Sequence, residues 1–130
     1  MGDLPIVLGD LTLRRLRPTD FADMLAYYSH PDVARYCEWD PMSDGEVAAI
    51  LEAQTNVLPG EVGVPLQIGV ELTAERRLIG DCSLTVYFPE HRQAELGFCL
   101  HPDAQGRGIA TRAVQAVLGY AFEVRSMHRI

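Results

Sequence analysis

The chain has 130 residues, 48% of them hydrophobic, and this length and composition predict one domain over residues 1–130 with a core of ordinary size. Its net charge of −7 disfavours nucleic acid as a partner, and its three cysteines, an odd number at unrelated spacings, argue against a disulfide framework and a metal site. No apolar run approaches membrane-spanning length and the first residues lack signal-peptide features, so we expect a cytoplasmic protein.

The first predicted elements are a strand and a helix. Leu11 and Leu13 alternate with Thr12 and Arg14, which predicts a half-buried strand. A helix should follow, capped by Thr19 or Asp20 and ended by Pro31, because apolar residues recur there at the spacing of one helix face. These residues are Phe21, Met24, Leu25 and Tyr28.

A second helix and three strands come next. Ser43 and Glu46 have the spacing of a capping box, which predicts a helix running toward Gly60. Apolar, β-branched segments over residues 64–72 and 78–88 predict a hairpin, and a further strand over residues 93–100 extends it to an antiparallel meander. Gly97 lies in the middle of that strand and indicates a bulge or a place where another chain or a ligand comes close.

The last predicted strand runs into a turn that contains Gly106 and Gly108, and the turn opens directly into a long helix. A helix start has unpaired N–H groups and partial positive charge, and glycines let a phosphate approach them. Arg107 adds a charge-assisted donor. Neither the Walker pattern nor the dinucleotide fingerprint fits the spacing, so the sequence predicts a site for another phosphate ester.

The pattern Gln105-x-x-Gly108-x-Ala110 resembles the signature of the GCN5-related N-acetyltransferases (GNAT). The flanking residues look like the RimJ/RimL-type branch, which also includes aminoglycoside and polyamine acetyltransferases, and the resemblance covers nearly the whole chain. It implies an α/β (α+β) acyl-CoA N-acyltransferase fold, in which a mixed, mostly antiparallel sheet is flanked by helices. It also implies transfer of an acetyl group from acetyl-CoA to a primary amine, such as a protein N terminus, an aminoglycoside or a polyamine.

The resemblance also implies a set of cofactor-binding residues. The turn and helix start would bind the pyrophosphate of acetyl-CoA, and the backbone at the end of the preceding strand would pair with its pantetheine arm. The turn residues are Gln105, Gly106, Arg107, Gly108, Ile109, Ala110 and Thr111. The strand residues are Phe98, Cys99 and Leu100.

For catalysis, direct attack by the amine requires a base, and Glu95 is the best candidate because it shares a strand face with Cys99. An exposed strand carboxylate without a catalytic role explains Glu95 equally well. His101 is a weaker candidate, and a covalent route through Cys99 is disfavoured because no activating group is placed beside it in the sequence. Tyr36 and Trp39 are candidate substrate contacts by resemblance, although packing in the core is the commoner fate of large aromatics.

Residues 1–90 carry 6 basic and 15 acidic side chains, whereas residues 91–130 carry 5 and 3. This split suits a cationic acceptor in front and an anionic cofactor behind, although surface acidity for solubility explains it as well. A complete family member would continue past Ile130 through a strand, a helix and a hairpin, so we expect a truncated domain that could pair with a second copy as a homodimer. The alternative function is a catalytically impaired acyl-CoA-binding or protein-interaction module.

Overall fold

The chain folds around a five-stranded sheet with helices on both faces, in a computed structural model that describes residues 4–37, 40–57, 63–88 and 93–124. The strands are β1 (Ile6–Leu8), β2 (Leu11–Arg15), β3 (Leu66–Leu72), β4 (Arg77–Phe88) and β5 (Gln93–Leu100). The helices are α1 (Phe21–Tyr28), α2 (Pro31–Cys37), α3 (Asp44–Thr55) and α4 (Ile109–Val124). Within these ranges, no helix is long and apolar enough to span a membrane.

The sheet is a meander in the order β1-β2-β3-β4-β5, and each described strand pair is antiparallel. The predicted meander is therefore confirmed. The ladder is regular at Gly97, which pairs with Ser83, so the predicted bulge at Gly97 is wrong. A side chain at this position would nevertheless be crowded, because a Cβ atom on Gly97 would lie 2.7 Å from the Oγ atom of Ser83 on the neighbouring strand unless that side chain rotated.

Two apolar clusters hold the helices against opposite faces of the sheet. The first lies under α4, where Val117 and Tyr120 pack with buried residues of β2 to β5 such as Ile68 and Leu100. The second lies under α1 and α3, where Met24 and Val47 pack with residues that include Leu78 of β4 and Cys99 of β5. Because side chains alternate along a strand, β4 and β5 contribute to both clusters.

The local signals at the helix starts are largely confirmed. The Ser43 N–H donates to Oε1 of Glu46 at 3.1 Å and the Glu46 N–H donates to Ser43 Oγ at 3.3 Å, which is the predicted capping box of α3. Asp20 occupies the N-cap position of α1, but its side chain makes no capping bond. Pro31 begins the short helix α2, which the sequence did not predict, and β1 was not predicted either.

Arg14 differs from the prediction that it lies on the exposed side of a half-buried strand. Its side chain is buried and donates to Oδ2 and Oδ1 of Asp20 at 2.9 and 2.8 Å and to Oε2 of Glu71 at 3.1 Å. Burial alone would lower the pKa of Arg14, but the two carboxylates raise it. The ion pairs connect β2, the start of α1 and β3. Both faces of β2 are therefore buried at the position of Arg14.

Candidate functional site

The turn between β5 and α4 has the conformation that its glycines make possible. Gly106 and Gly108 have φ angles of 75° and 72°, in the left-handed region that side chains rarely adopt. A Cβ atom added at either position would meet nothing within 4 Å, so both glycines face open space. The turn therefore presents bare main chain on its outer side.

The first turn of α4 continues this main-chain surface. The Arg112 N–H donates to the carbonyl of Gly108 at 3.2 Å, and helix geometry leaves the N–H groups of Ile109, Ala110 and Thr111 without an intrahelical acceptor. The Ile109 side chain is buried in the core, whereas Thr111, Gln105 and the residues between Gln105 and Ile109 are exposed. A helix start anchored on one side and open on the other attracts anions.

Arg112 fixes this helix start to the opposite end of the sheet. Its guanidinium donates to the carbonyl of Leu8 at 2.7 Å and to Oδ1 of Asp10 at 2.6 Å. The hydrogen bond from Arg112 lowers the pKa of Asp10 and raises that of Arg112. Arg112 is therefore committed to the turn between β1 and β2, while Arg107 extends from an exposed position in the glycine turn.

The outer edge of β5 lies directly before the glycine turn. The His101 N–H donates to the carbonyl of Ile79 at 2.7 Å, and alternation along an antiparallel ladder then directs the main chain of Cys99 to β4 and that of Phe98 and Leu100 outward. The Gln105 amide donates to the Leu100 carbonyl at 3.3 Å on that side. No strand in the described ranges pairs with this edge.

A cavity of about 430 Å³ opens on the sheet face that carries α1 and α3. It reaches the β5 segment from Gly97 to Cys99, whose far edge leads to the glycine turn. Its lining residues are Tyr28, Met42, Ile50, Pro65, Gln67, Asp81, Ser83, Gly97, Phe98 and Cys99. The same short piece of β5 thus borders both the cavity and the open edge.

Asp81 places a carboxylate in the wall of this cavity and is only 3% exposed. Tyr27 and Tyr28 donate their phenol O–H groups to Oδ2 of Asp81 at 2.7 and 2.9 Å. Burial raises the pKa of Asp81, and hydrogen bonds from the two phenols and from Gln67 counteract part of that rise. Asp81 was missed in the sequence, although an acid inside a predicted, otherwise apolar strand is a signal that could have identified it.

Glu95, the predicted base, lies on β5 opposite Thr85 and is exposed. Alternation places it on the same sheet face as Gly97 and Cys99, as expected, but it is not among the residues that line the cavity. It stands four residues from Cys99, about 13 Å along an extended strand. Glu95 therefore lies outside the described wall of the cavity, two residues along β5 from its lining residue Gly97.

The other candidates for chemistry take different positions. The His101 Nδ1 atom accepts the Asp103 N–H at 3.0 Å and caps a short 3-10 turn, and burial lowers the pKa of His101. Cys99 is buried in the wall of the cavity. Tyr36 belongs to α2, but its side chain is outside the description, and Trp39 lies outside the described residues altogether.

Comparison with known proteins finds relatives that are all named N-acetyltransferases. The chain is 29% identical over 120 residues to the uncharacterized N-acetyltransferase p20 of Bacillus licheniformis, covering 92% of this chain and 67% of the relative. It is 30% identical over 122 residues to the uncharacterized N-acetyltransferase YnaD of Bacillus subtilis, covering 92% and 69%. A spermidine N(1)-acetyltransferase of Escherichia coli is 31% identical over 65 residues, covering 44% of this chain and 35% of that protein.

Solved structures share the fold. A GNAT-family acetyltransferase from Bacillus anthracis superimposes with a TM-score of 0.81 at 24% identity, covering 96% of this chain and 70% of that one. Spermidine N-acetyltransferase from Vibrio cholerae, in complex with CoA and spermine, gives a TM-score of 0.76 at 24% identity, covering 93% and 69%. The model of the acetyltransferase (GNAT) domain family matches residues 10–130. A match over nearly the whole sequence, together with these relatives and this sheet, shows that the chain belongs to the GNAT family of acetyltransferases, which use acetyl-CoA.

Proposed function

We propose that this protein transfers the acetyl group of acetyl-CoA to a primary amine by direct attack of the amine on the thioester. The observation that carries the proposal is the pair of left-handed glycines, Gly106 and Gly108, at the start of α4 and beside the outer edge of β5. Such a turn suits a pyrophosphate, because bare N–H groups and the positive helix end face the same open space.

In this proposal the cofactor contacts are mainly main-chain contacts. The N–H groups from Gly106 to Thr111 hold the pyrophosphate, and the exposed Arg107 adds a charged donor. The pantetheine arm, an extended amide chain, pairs with the outward main chain of Phe98 and Leu100. The main chain of Cys99 faces β4 in the ladder, so in this proposal the pantetheine arm pairs with Phe98 and Leu100 and not with Cys99, which the sequence had also predicted.

The transfer itself forms a C–N bond and breaks the C–S bond of the thioester. An outward N–H of β5 polarises the thioester carbonyl, and the amine enters from the cavity across the segment from Gly97 to Cys99. Glu95 is the proposed base and acts through water, because it is exposed and lies outside the described wall of the cavity. The proton removed from the amine passes to solvent, and the departing thiolate takes up another.

The acceptor is an amine of the kinds suggested by the RimJ/RimL-like resemblance. The relatives named spermidine acetyltransferases act on an amine, which supports amine acetylation in general. A buried carboxylate in the cavity supports a cationic acceptor as well. Protein N termini, aminoglycosides and polyamines all satisfy this description.

The proposal is tested by measuring CoA release from acetyl-CoA against a panel of amines, and CoA binding by calorimetry. Arg107→Glu should weaken CoA binding by about 1–3 kcal/mol, because a donor is replaced by a like charge beside the phosphates. Arg35→Glu is the matched control, because Arg35 is an exposed arginine on α2 whose ion pair within the described residues is to Asp32. Equal CoA affinity in the parent and in Arg107→Glu would show that the cofactor does not bind at this turn.

A further inference from the structure

The relatives of this chain do not determine which amine it accepts. The size and lining of the cavity bear on that question. At about 430 Å³ it lies toward the small end of ligand pockets, which span about 300–1,000 Å³. Its described lining includes the apolar side chains of Met42, Ile50 and Phe98. A compact and mainly apolar molecule fits such a space better than an extended polar one.

Asp81 is the sole ionisable carboxylate among the described residues that line the cavity. Its two oxygens are not equivalent. Oδ2 accepts short hydrogen bonds from the phenols of Tyr27 and Tyr28, whereas the contacts of Oδ1 with described residues are longer, to Tyr28 at 3.2 Å and to Gln67 at 3.4 Å. Oδ1 therefore keeps acceptor capacity for a further donor in the cavity.

The position of Asp81 relates that donor to the reaction. Asp81 pairs with Cys99 across the ladder, so the two residues share a face and their Cα atoms are about 5.5 Å apart. Cys99 lies between Phe98 and Leu100, whose main chains face the open edge of β5. A nitrogen held at Oδ1 of Asp81 thus lies across β5 from the proposed position of the thioester, so Asp81 would recognise the amine before it loses its proton and moves to attack.

We propose that Asp81 binds the acceptor amine and makes the site selective for a single ammonium group on a compact, mainly apolar body. The inference rests on the proposed acetyl transfer. One ammonium compensates the one carboxylate among the described lining residues, whereas the further ammonium groups of a polyamine would find no second carboxylate there. This specificity differs from that in the names of the spermidine acetyltransferases, whose sequence match covers only 44% of this chain.

The test uses direct binding, which does not depend on turnover. Phenethylamine, spermidine and an unblocked alanine tripeptide amide are titrated into the CoA-saturated protein and followed by NMR. We expect phenethylamine to bind most tightly, and Asp81→Asn to weaken its binding by about tenfold or more while CoA affinity stays unchanged. Glu71→Gln is the matched control, because Glu71 is also a buried carboxylate of the sheet but is paired with Arg14.

A second variant covers the case in which Asp81→Asn fails to fold. Tyr27→Phe removes a donor to Asp81, and Tyr27 does not line the cavity. Among the described residues, the titratable groups beside Asp81 are Tyr27 and Tyr28 from α1, Cys99 from β5 and the neighbouring Cys82 of β4. Losing a donor raises the pKa of the carboxylate, so amine binding, which requires the ionised carboxylate, should be lost at a higher pH than in the parent as the solution is acidified. Tyr120→Phe, which changes a buried tyrosine of α4, should leave that midpoint unchanged.

Several results would overturn the proposal. They are tighter binding of spermidine or the tripeptide than of phenethylamine, no binding of any amine, equal phenethylamine affinity in the parent and in Asp81→Asn, and an unmoved midpoint in Tyr27→Phe. The CoA titration of the parent is judged separately. A parent that fails to bind CoA contradicts the proposed acetyl transfer, whereas a parent that binds CoA but prefers spermidine contradicts only the assignment of Asp81.

Discussion

In the proposed function, the two sides of β5 bind their ligands with different parts of the protein. On the outer edge the contacts come from the main chain of one continuous segment, from Phe98 through Gly108 into α4. On the cavity side they come from side chains on α1, β3, β4 and β5, which meet at Asp81. A main-chain site depends on backbone conformation and tolerates many side chains, whereas a side-chain site depends on the identity of a few residues.

The largest expected effect comes from breaking the main-chain side. Gly108→Val should cost CoA binding about 3 kcal/mol or more, because a β-branched residue is strained at positive φ and its side chain fills the phosphate space. Calorimetric titration with CoA measures the loss. Gly63→Val is the control, since Gly63 has a φ of 75° and open space but lies before β3. Similar losses in both variants would mean that strain in any turn reduces binding, and would contradict a specific role for Gly108.

Glu95 belongs to neither set of contacts, so its replacement should separate chemistry from binding. Glu95→Gln should lower the acetylation rate about a hundredfold near neutral pH, because the base is lost, with CoA affinity nearly unchanged. Steady-state kinetics with the best amine of the panel provides the measurement. A rate within a few-fold of the parent would make Glu95 an ordinary exposed carboxylate of β5.

The smallest expected effect comes from narrowing the cavity at Gly97, one of its lining residues. Gly97→Ala brings a methyl group against Ser83 Oγ, a side-chain atom that can rotate away, so stability should fall by about 1 kcal/mol and amine affinity by a few-fold. Adding Ser83→Ala should restore most of both, as thermal unfolding and amine titration would show. CoA affinity that falls as much as amine affinity would contradict the separation of the two sides.

The main-chain side could be predicted from the sequence because its requirements are local. Gly106 and Gly108 are needed for their φ angles, and the capping box of Ser43 and Glu46 spans four consecutive positions, so a linear pattern reveals both. The cavity could not be predicted in this way. Tyr27 and Asp81 are 54 positions apart and meet only because α1 packs on β4.

The remaining differences also have physical reasons. Arg14 alternates with the apolar residues of β2, which predicts that it is exposed. The start of α1 lies against its face of the strand instead, and Asp20 there pairs with its charge. Pro31 marks the end of α1 and also suits the first turn of α2, because its fixed φ is compatible with helix starts. The cytoplasmic location, the homodimer, the RimJ/RimL-like branch and the domain boundaries stay predictions.

NMR mapping would decide the claim that the open main chain at the end of β5 and the start of α4 binds the cofactor. Titration of isotope-labelled protein with CoA should shift the amide signals of the segment from Gly106 to Thr111 most strongly, together with those of Phe98 and Leu100. Signals of Tyr28, Gln67 and Asp81 in the cavity should move less. Unchanged signals from Gly106 to Thr111 at saturating CoA, with the largest shifts elsewhere, would contradict the claim.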